Sequence, residues 1–250
     1  MSERDLETRG REWRHSVFRT VCDELEPWEH GTIARLSAHP TYRQYNAVIV
    51  EGRPGLSAEE LVAVAEDALG HLKHRRVDFE IADEAEGLRT DFEAAGWRTN
   101  RLVWMLHDEG APSAPKIDVI EVPYDDVYDL RLLWHGDDPE DTDPTAFLSI
   151  AREVSMQRCA RVFAHFDAGE PVGYAQLEGC DPAAAEVIEV FVRPERRGQG
   201  IGTELTKAAI AAAEEVDDLW ICADYDGAPR RLYARLGFRP ALATMEVTKT

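Results

Sequence analysis

In the C-terminal half the apolar positions change period repeatedly, and each change marks an element. Ile117 to Val122 (IDVIEV) carries a strand pattern, and in YDDVYDLRLLWHG the residues Val127, Leu130 and Leu133 or Trp134 fall at helical spacing. Pro144 to Met156 (PTAFLSIAREVSM) predicts a second helix, with Pro144 in the first turn and Asp143 as N-cap. ARVFAHFD and PVGYAQLEG predict two strands joined by the turn Ala168-Gly169-Glu170, and EVIEVFV, Glu186 to Val192, a third rich in β-branched residues. An alanine-rich helix over Thr203 to Glu215, the strand LWICADY, the helix APRRLYARL stopped by Gly237, and a last strand ending near Val247 complete the series. The order β-α-α-β-β-β-α-β-α-β describes an α/β (α+β) domain with a mixed central sheet and flanking helices.

The N-terminal half repeats part of this pattern more faintly. YNAVIVEG reads as a strand, LSAEELVAVAEDALGHL as a helix capped by Ser57 with Glu60 three residues on, and RVDFEIADE as another strand. RTDFEAAGWRTNRLVWML lies over RRLYARLGFRPALATMEV at an offset of 141, so that Phe92 meets Tyr233, Gly96 meets Gly237, Trp97 meets Phe238 and Arg98 meets Arg239. The same offset sets RVDFEIADE over DDLWICADY, the mark of an internal duplication. The short, proline-bearing segment 111–116 (APSAPK) reads as a linker between a domain at 1–110 and one at 117–250.

Composition narrows the function classes. With 44% apolar and 30% charged residues among 250, the chain is an ordinary globular one and needs no metal or disulfide to hold a core. The four cysteines are scattered with no CxxC pair, which speaks against a zinc ribbon or redox dithiol and predicts free thiols in a reducing, cytoplasmic setting. The N-terminus lacks the apolar core of a signal peptide, and no apolar run approaches the roughly 18 residues of a membrane span. A formal net charge of −20 opposes nucleic-acid binding, since phosphate repulsion dominates at long range, and suits a solvated acidic surface or a cationic substrate. No nucleic-acid or membrane partner is expected, and the chain reads as a monomer or homodimer.

Against that acidic background the stretch RPERRGQGIGTEL, Arg193 to Leu205, stands out. Glycines at 198, 200 and 202 between a strand and a helix remove Cβ atoms and let successive amides face one point. The helix N-terminus adds partial positive charge, which makes a cradle for a phosphate or pyrophosphate. Arg193, Arg196 and Arg197 stand beside it, as do Arg230, Arg231, Arg235 and Arg239 if the later helix adjoins the loop. GQGIG lacks the GK[ST] of a P-loop and has the wrong spacing for a dinucleotide fingerprint.

The stretch EVIEVFVRPERRGQGIGTEL resembles the acyl-coenzyme A signature of the GNAT N-acetyltransferases, a [RQ]-x-x-G-x-[GA] loop after the fourth strand. Arg197-Gly198-Gln199-Gly200-Ile201-Gly202 fits it at each fixed position, and RRLYARLGF resembles the family's second signature, a helix with a Tyr before a Gly-Phe turn. The resemblance covers Ile117 to Thr250 and only faintly the first half. It implies the acyl-CoA N-acyltransferase fold, here duplicated, and acetyl-coenzyme A as co-substrate with no metal. It implies too that the strand bearing Val190, Phe191 and Val192 splays from LWICADY to admit pantetheine, while the amides of Gly198 to Thr203 hold the pyrophosphate, with Arg197 and Arg230 nearby. Asp226 falls where relatives often place an Asn, and it has no amide to donate.

Acetyl transfer to an amine needs a base, a polarised carbonyl and a proton for the departing sulfur. The resemblance points to Glu186 as base, with Glu189 second; strict alternation puts the two on opposite faces of the strand unless a bulge intervenes. It points to a backbone N–H near Val192 for the carbonyl and to Tyr233 for the proton. In the first half Phe92 replaces Tyr233, and the loop EGRPGLSAEEL has two glycines and a Pro54 without an amide, so that half is expected to do no chemistry. It would wall off the substrate cleft or act as a built-in dimer partner. His135 reads as a solvated loop residue rather than a base or ligand, and GDDPEDTDP lacks the EF-hand pattern but is placed to attract a cationic amine. Trp134 and Tyr174 are candidates to line the same pocket or pack in the core. The resulting expectation is an acetyl-CoA-dependent N-acetyltransferase acting on a primary amine of a small molecule or peptide. Its rivals are a non-catalytic acyl-CoA sensor and a two-domain synthase that acetylates a cysteinyl-sugar amine.

Overall fold

The computed structural model describes residues 3–110, 112–136 and 143–250. Its elements run α1 (Glu3–Val21), β1 (Glu24–Trp28), β2 (Gly31–Arg35), β3 (Ala47–Val50), α2 (Ala58–Leu69), β4 (Arg75–Phe79), α3 (Ala82–Glu86), α4 (Arg89–Ala94) and β5 (Arg98–His107). They continue with β6 (Ile120–Val122), α5 (Tyr128–His135), α6 (Pro144–Gln157), β7 (Arg161–Asp167), β8 (Glu170–Asp181), β9 (Ala184–Val192), α7 (Ile201–Ala212), β10 (Asp218–Asp224), α8 (Ala228–Ala234) and β11 (Phe238–Lys249). Two compact units result. Unit 1 holds residues 1–104, 223–227 and 240–250, and unit 2 holds 105–222 and 228–239. The division thus runs through β5, β10 and β11 and not through segment 111–116.

Unit 1 orders its strands β1-β2-β3-β4-β11, with β3 and β4 parallel and β11 antiparallel to β4 from Met245↔Phe79 to Lys249↔Arg75. Its core gathers Val48, Leu61, Phe79, Phe92, Trp97 and Met245. Ser57 caps α2 as expected: its hydroxyl accepts from the Glu60 amide while the Glu60 carboxylate accepts from the Ser57 amide. The expected strand RVDFEIADE stops at Phe79, because Ala82–Glu86 turns into α3.

Helix α1 has buried positions at Gly10, Arg14, Phe18 and Val21, a helical spacing in which Arg14 fills a slot usually held by an apolar side chain. Arg14 is tolerated there because Glu80 and Asp78 lie 3.5 and 3.9 Å from its guanidinium, and the Trp104 ring lies 5.5 Å beneath it.

Unit 2 orders its strands β10-β9-β8-β7-β6, with β9 and β10 parallel and the rest antiparallel. Asp143 caps α6, its carboxylate accepting from the Thr145 amide at 3.0 Å, and Pro144 occupies the first turn. Ala168 and Gly169 both take positive φ in the β7–β8 turn, which matches the twist of a tight hairpin. At φ 90° Gly237 ends α8, and a Cβ there would stand 2.7 Å from Glu109 Cβ.

The expectation of four free thiols needs correction. Cys159 and Cys180 form a disulfide, with Cα atoms 5.2 Å apart, and Cys22 and Cys222 are free. Sequence spacing hides the pairing because the two cysteines belong to different elements: Cys159 follows the end of α6 at φ 57°, and Cys180 lies near the end of β8. Among the described residues no helix is long and apolar enough to cross a membrane.

Candidate active site

The glycine loop has the conformation its sequence demands. Gly198 and Gly200 take φ 77° and 82°, and nothing stands within 4 Å of where their Cβ atoms would be. Gly200 caps α7, whose first turn closes when the amides of Thr203 and Glu204 donate to Gly200 O at 3.0 and 3.2 Å. Thr203 therefore does not contribute its amide to the cradle as expected. The amides of residues 198–202 have no acceptor among the described residues. A set of unpaired N–H groups at a helix N-terminus suits a diphosphate. Glu204, the nearest carboxylate in the helix, is engaged by Lys207 Nζ at 3.2 Å and by the Lys116 amide at 2.7 Å.

The neighbouring arginines are less available than their number suggests. Arg193 donates to Pro171 O, Arg196 pairs with Asp167, and Arg197 Nε donates to Val192 O at 3.1 Å with its guanidinium over Phe191. Arg239 pairs with Asp108 at 2.9 Å. Helix α8, which bears Arg230, adjoins the loop, since a Cβ on Gly202 would lie 3.9 Å from Leu232 Cδ1. Ile201 packs inward with Val172, Ala175 and Leu205, while Gln199 is exposed. Asp226 is exposed in a turn of unit 1 closed by Gly227 N donating to Asp224 O.

Strand β9 separates from β10 just before the loop. Their parallel register runs from Ala184↔Asp218 to Val187↔Ile221 and ends there, while β9 continues through Val190, Phe191 and Val192. On its other side β9 stays paired with β8, but Gln176 faces Ile188 and Tyr174 faces Phe191, so β9 holds one extra residue. That residue shows itself at Glu189, whose φ of 50° is rare for a side-chain-bearing residue.

The bulge decides the orientation of the two candidate bases. It brings Glu189 into the same side-chain cluster as Glu186, against strict alternation. Glu189 accepts from Arg131 and, at 3.2 Å, from the Tyr174 hydroxyl. Arg131 also donates to Gln176 Oε1 at 2.6 Å and lies 3.7 Å over the Tyr124 ring. Gln176 donates in turn to Ser155 and Glu178. Glu178 pairs with Arg158, which reaches Glu186 at 3.2 Å. Two carboxylates thus sit at the ends of one buried chain of polar groups, with Glu186 8% and Glu189 24% exposed at the side chain.

Sequence reasoning missed Arg131, Arg158, Gln176 and Glu178. The one local signal was a polar alternation, Tyr174, Gln176, Glu178, within the stretch of β8 buried from Val172 to Glu178.

Burial pushes the Glu178 carboxyl up to about 7, with Arg158 opposing and the Glu189 and Glu186 charges reinforcing. A carboxyl raised by folding contributes stability that is complete below its ordinary value near 4.5 and is lost as pH rises through about 7. The thermal midpoint is therefore expected to fall from about pH 5 to about pH 8 more steeply for the wild type than for Glu178→Gln. Calorimetric scans with equal slopes would refute this.

Tyr233 is buried and packs edge-on to Phe238 at 6.2 Å, and burial with the nearby Cys222 pushes its hydroxyl up to about 12. His135 is not a solvated loop residue: it ends α5, buried, with its ring stacked on Phe147 at 4.3 Å. Tyr174 is fully buried in the core beside Phe191, and half-exposed Trp134 stacks on Phe191 at 5.8 Å. Most of the acidic loop, residues 137–142, lies outside the described residues. Among the described residues no group of three or more His, Cys, Asp or Glu could hold a metal ion.

The equivalent places in unit 1 are filled. The Gly55 amide donates to Glu84 at 3.3 Å and the Ser57 amide to Glu60 at 2.8 Å, so protein carboxylates occupy the amides before α2. Strands β3 and β4 stay paired to Val50↔Phe79, and Glu80 N still donates to Val50 O, so no gap opens between them. Phe92, fully buried against Phe79 and Trp97, carries no hydroxyl.

Residues 124–238 match the family model described as Acetyltransferase (GNAT) family. A mycothiol acetyltransferase of Streptomyces coelicolor is 48% identical over 54 residues, which make up 22% of this chain and 18% of that protein. The chain spans between 17% and 24% of the length of the first three curated relatives it matches. Among solved structures, a functionally unknown conserved protein from Staphylococcus epidermidis superposes with a TM-score of 0.71 at 15% identity, covering 91% of this chain and 94% of that one. A tandem GNAT protein from the clavulanic acid biosynthesis pathway gives 0.50 at 19% identity, covering 81% and 75%. At these identities the likeness is one of fold.

Proposed function

From the match of residues 124–238 to the acetyltransferase (GNAT) family model, we propose that the chain transfers acetyl from acetyl-coenzyme A directly to a primary amine of a small molecule or peptide. One observation carries the reading: five successive amides, residues 198–202, have no acceptor among the described residues, and they follow the stretch of β9 that has left β10. The fit to the co-substrate rests on that cradle and on the open space at Gly198 and Gly200. The amides would hold the diphosphate, with Arg197 and Arg230 nearby, and the edge of β9 from Val190 to Val192, which has left β10, would receive the pantetheine arm. When bound, acetyl-coenzyme A supplies an acetyl group activated as a thioester.

The chain's own groups then have distinct tasks. Glu189, the more exposed carboxylate, takes a proton from the substrate ammonium while Arg131 and the Tyr174 hydroxyl fix its position. Glu186 lies deeper and would act through water. A backbone amide near Val192 donates to the acetyl carbonyl oxygen. Tyr233 keeps its proton at neutral pH, since its hydroxyl is pushed up to about 12, and can give it to the departing sulfur.

Titration calorimetry with acetyl-coenzyme A, together with a thiol-release screen across amine classes, tests the proposal. Heat of binding, a raised thermal midpoint and thiol release with one class are expected. Binding without release from any amine would favour a sensor, and absence of binding would remove the reading altogether. A second reading, acetylation of a mycothiol-type cysteinyl-sugar amine, is favoured by the name of the matched relatives. Including such an amine in the screen decides it.

A further inference from the structure

Arg158 ties together the two most buried carboxylates of the site, Glu178 and Glu186, yet it belongs to no regular element. It is the residue that ends α6, and the next residue, Cys159, takes φ 57°. Across from it, Glu178 and Cys180 sit two residues apart on β8. Besides the ion pairs of Arg158, the connections between this corner of α6 and β8 include the Gly179 amide donating to Arg158 O at 2.9 Å, Gln176 Nε2 donating to Ser155 Oγ at 3.0 Å, and the one covalent tie, the Cys159–Cys180 bond. Both cysteines are exposed while Arg158, Glu178 and Glu186 are buried. A reagent can therefore reach the disulfide without entering the site.

We propose that the Cys159–Cys180 disulfide clamps Arg158 against Glu178 and Glu186, making Arg158 a positioning residue and the transferase sensitive to dithiols. The inference rests on the reading of unit 2 as an acetyltransferase. In the reducing step one thiolate of a small dithiol attacks Cys180 Sγ, and the Cys159 sulfur departs and takes a proton. The reagent's second thiolate attacks the mixed disulfide, releasing the Cys180 thiol and a cyclic disulfide. Two electrons pass from the reagent to the protein. Freed of the bond, the α6 corner keeps hydrogen bonds and ion pairs but no covalent tie to β8. The guanidinium then loses its fixed place beside Glu186, and small misplacements of catalytic surroundings are costly.

The groups facing Glu178 provide a readout independent of turnover. They are Ser155 from α6 and Arg158 just beyond it, Gln176 on its own strand, and Glu186 and Glu189 from β9. Arg158 opposes the upward shift of the Glu178 carboxyl, so its displacement should raise that titration further.

The test compares wild-type protein before and after treatment with dithiothreitol, with the redox state verified by the mass gained on alkylation. Reduction should lower kcat for thiol release by roughly tenfold to a hundredfold and leave KM for acetyl-coenzyme A unchanged, because the 198–202 amides are untouched. Reoxidation should restore it. Arg158→Met should show the lower kcat without reductant and lose the sensitivity. In coenzyme-free protein, carbon-13 NMR of the Glu178 carboxyl should report a higher midpoint in the reduced state. Equal kcat and equal Glu178 midpoints in both redox states would overturn the proposal. If no amine yields thiol in either state, the acetyltransferase reading fails, and the carboxyl titration still decides whether the disulfide holds Arg158.

Discussion

Tyr233→Phe is expected to lower kcat for thiol release by about 10²- to 10⁴-fold, the range a positioned proton donor supplies, while the calorimetric affinity for acetyl-coenzyme A stays unchanged. The substitution removes one oxygen from a ring whose packing against Phe238 and burial under α8 do not involve the hydroxyl. Among the described residues none hydrogen-bonds that oxygen, so its loss should cost the fold little. Burial holds the proton in place, with the hydroxyl pushed up to about 12, so the tyrosine remains a donor across the physiological range. The duplication supplies an internal comparison. Phe92 holds the corresponding position in unit 1, fully buried and without a hydroxyl, and that unit folds around it. A variant with normal affinity, normal thermal midpoint and undiminished kcat would take Tyr233 out of the chemistry.

The sequence revealed those parts of the site that depend on backbone conformation. Gly198, Gly200 and Gly237 take the positive φ that only glycine adopts freely, and they stand where the loop and turn patterns placed them. Ser57 with Glu60 and Asp143 with Pro144 begin helices as their residue types dictate. The strand separation beyond Val187 agrees with what the resemblance implied. Hidden from the sequence was whatever depends on partners distant in the chain. Arg14 in α1 looks like a surface residue until Glu80 and Asp78 are brought to it, so the helix itself escaped notice. Arg131 and Arg158 look like ordinary helix charges, and only the folding of α5 and α6 over β8 and β9 turns them toward the carboxylates. The disulfide was hidden for the same reason. The bulge at Glu189 was hidden for another, since a glutamate carries no propensity for the left-handed region and gives no local signal.

That bulge leads to the second large effect, a ranking of the two carboxylates. A non-glycine residue at φ 50° costs on the order of 1–3 kcal/mol and persists where its surroundings over-determine it. Arg131, Tyr174 and the β8 register supply that determination, and the result is a carboxylate three times as exposed as Glu186 beside the point where β9 stands free of β10. A base must come within hydrogen-bond reach of the amine, directly or through one water, so exposure favours Glu189. Glu189→Gln is expected to lower kcat by about 10²- to 10⁴-fold, with binding of acetyl-coenzyme A retained. The glutamine keeps an oxygen that can accept from Arg131, but the buried guanidinium loses its counter-charge, so the thermal midpoint should drop as well. The affinity for acetyl-coenzyme A separates the two consequences, since unfolding lowers binding and turnover together whereas loss of a base lowers turnover alone. Glu186→Gln should lower kcat less, because its carboxylate is held by Arg158 below the surface. Should Glu186→Gln lower kcat more than Glu189→Gln, the deeper carboxylate is the base, and the bulge serves to bring Arg131 to the strand rather than Glu189 to the amine.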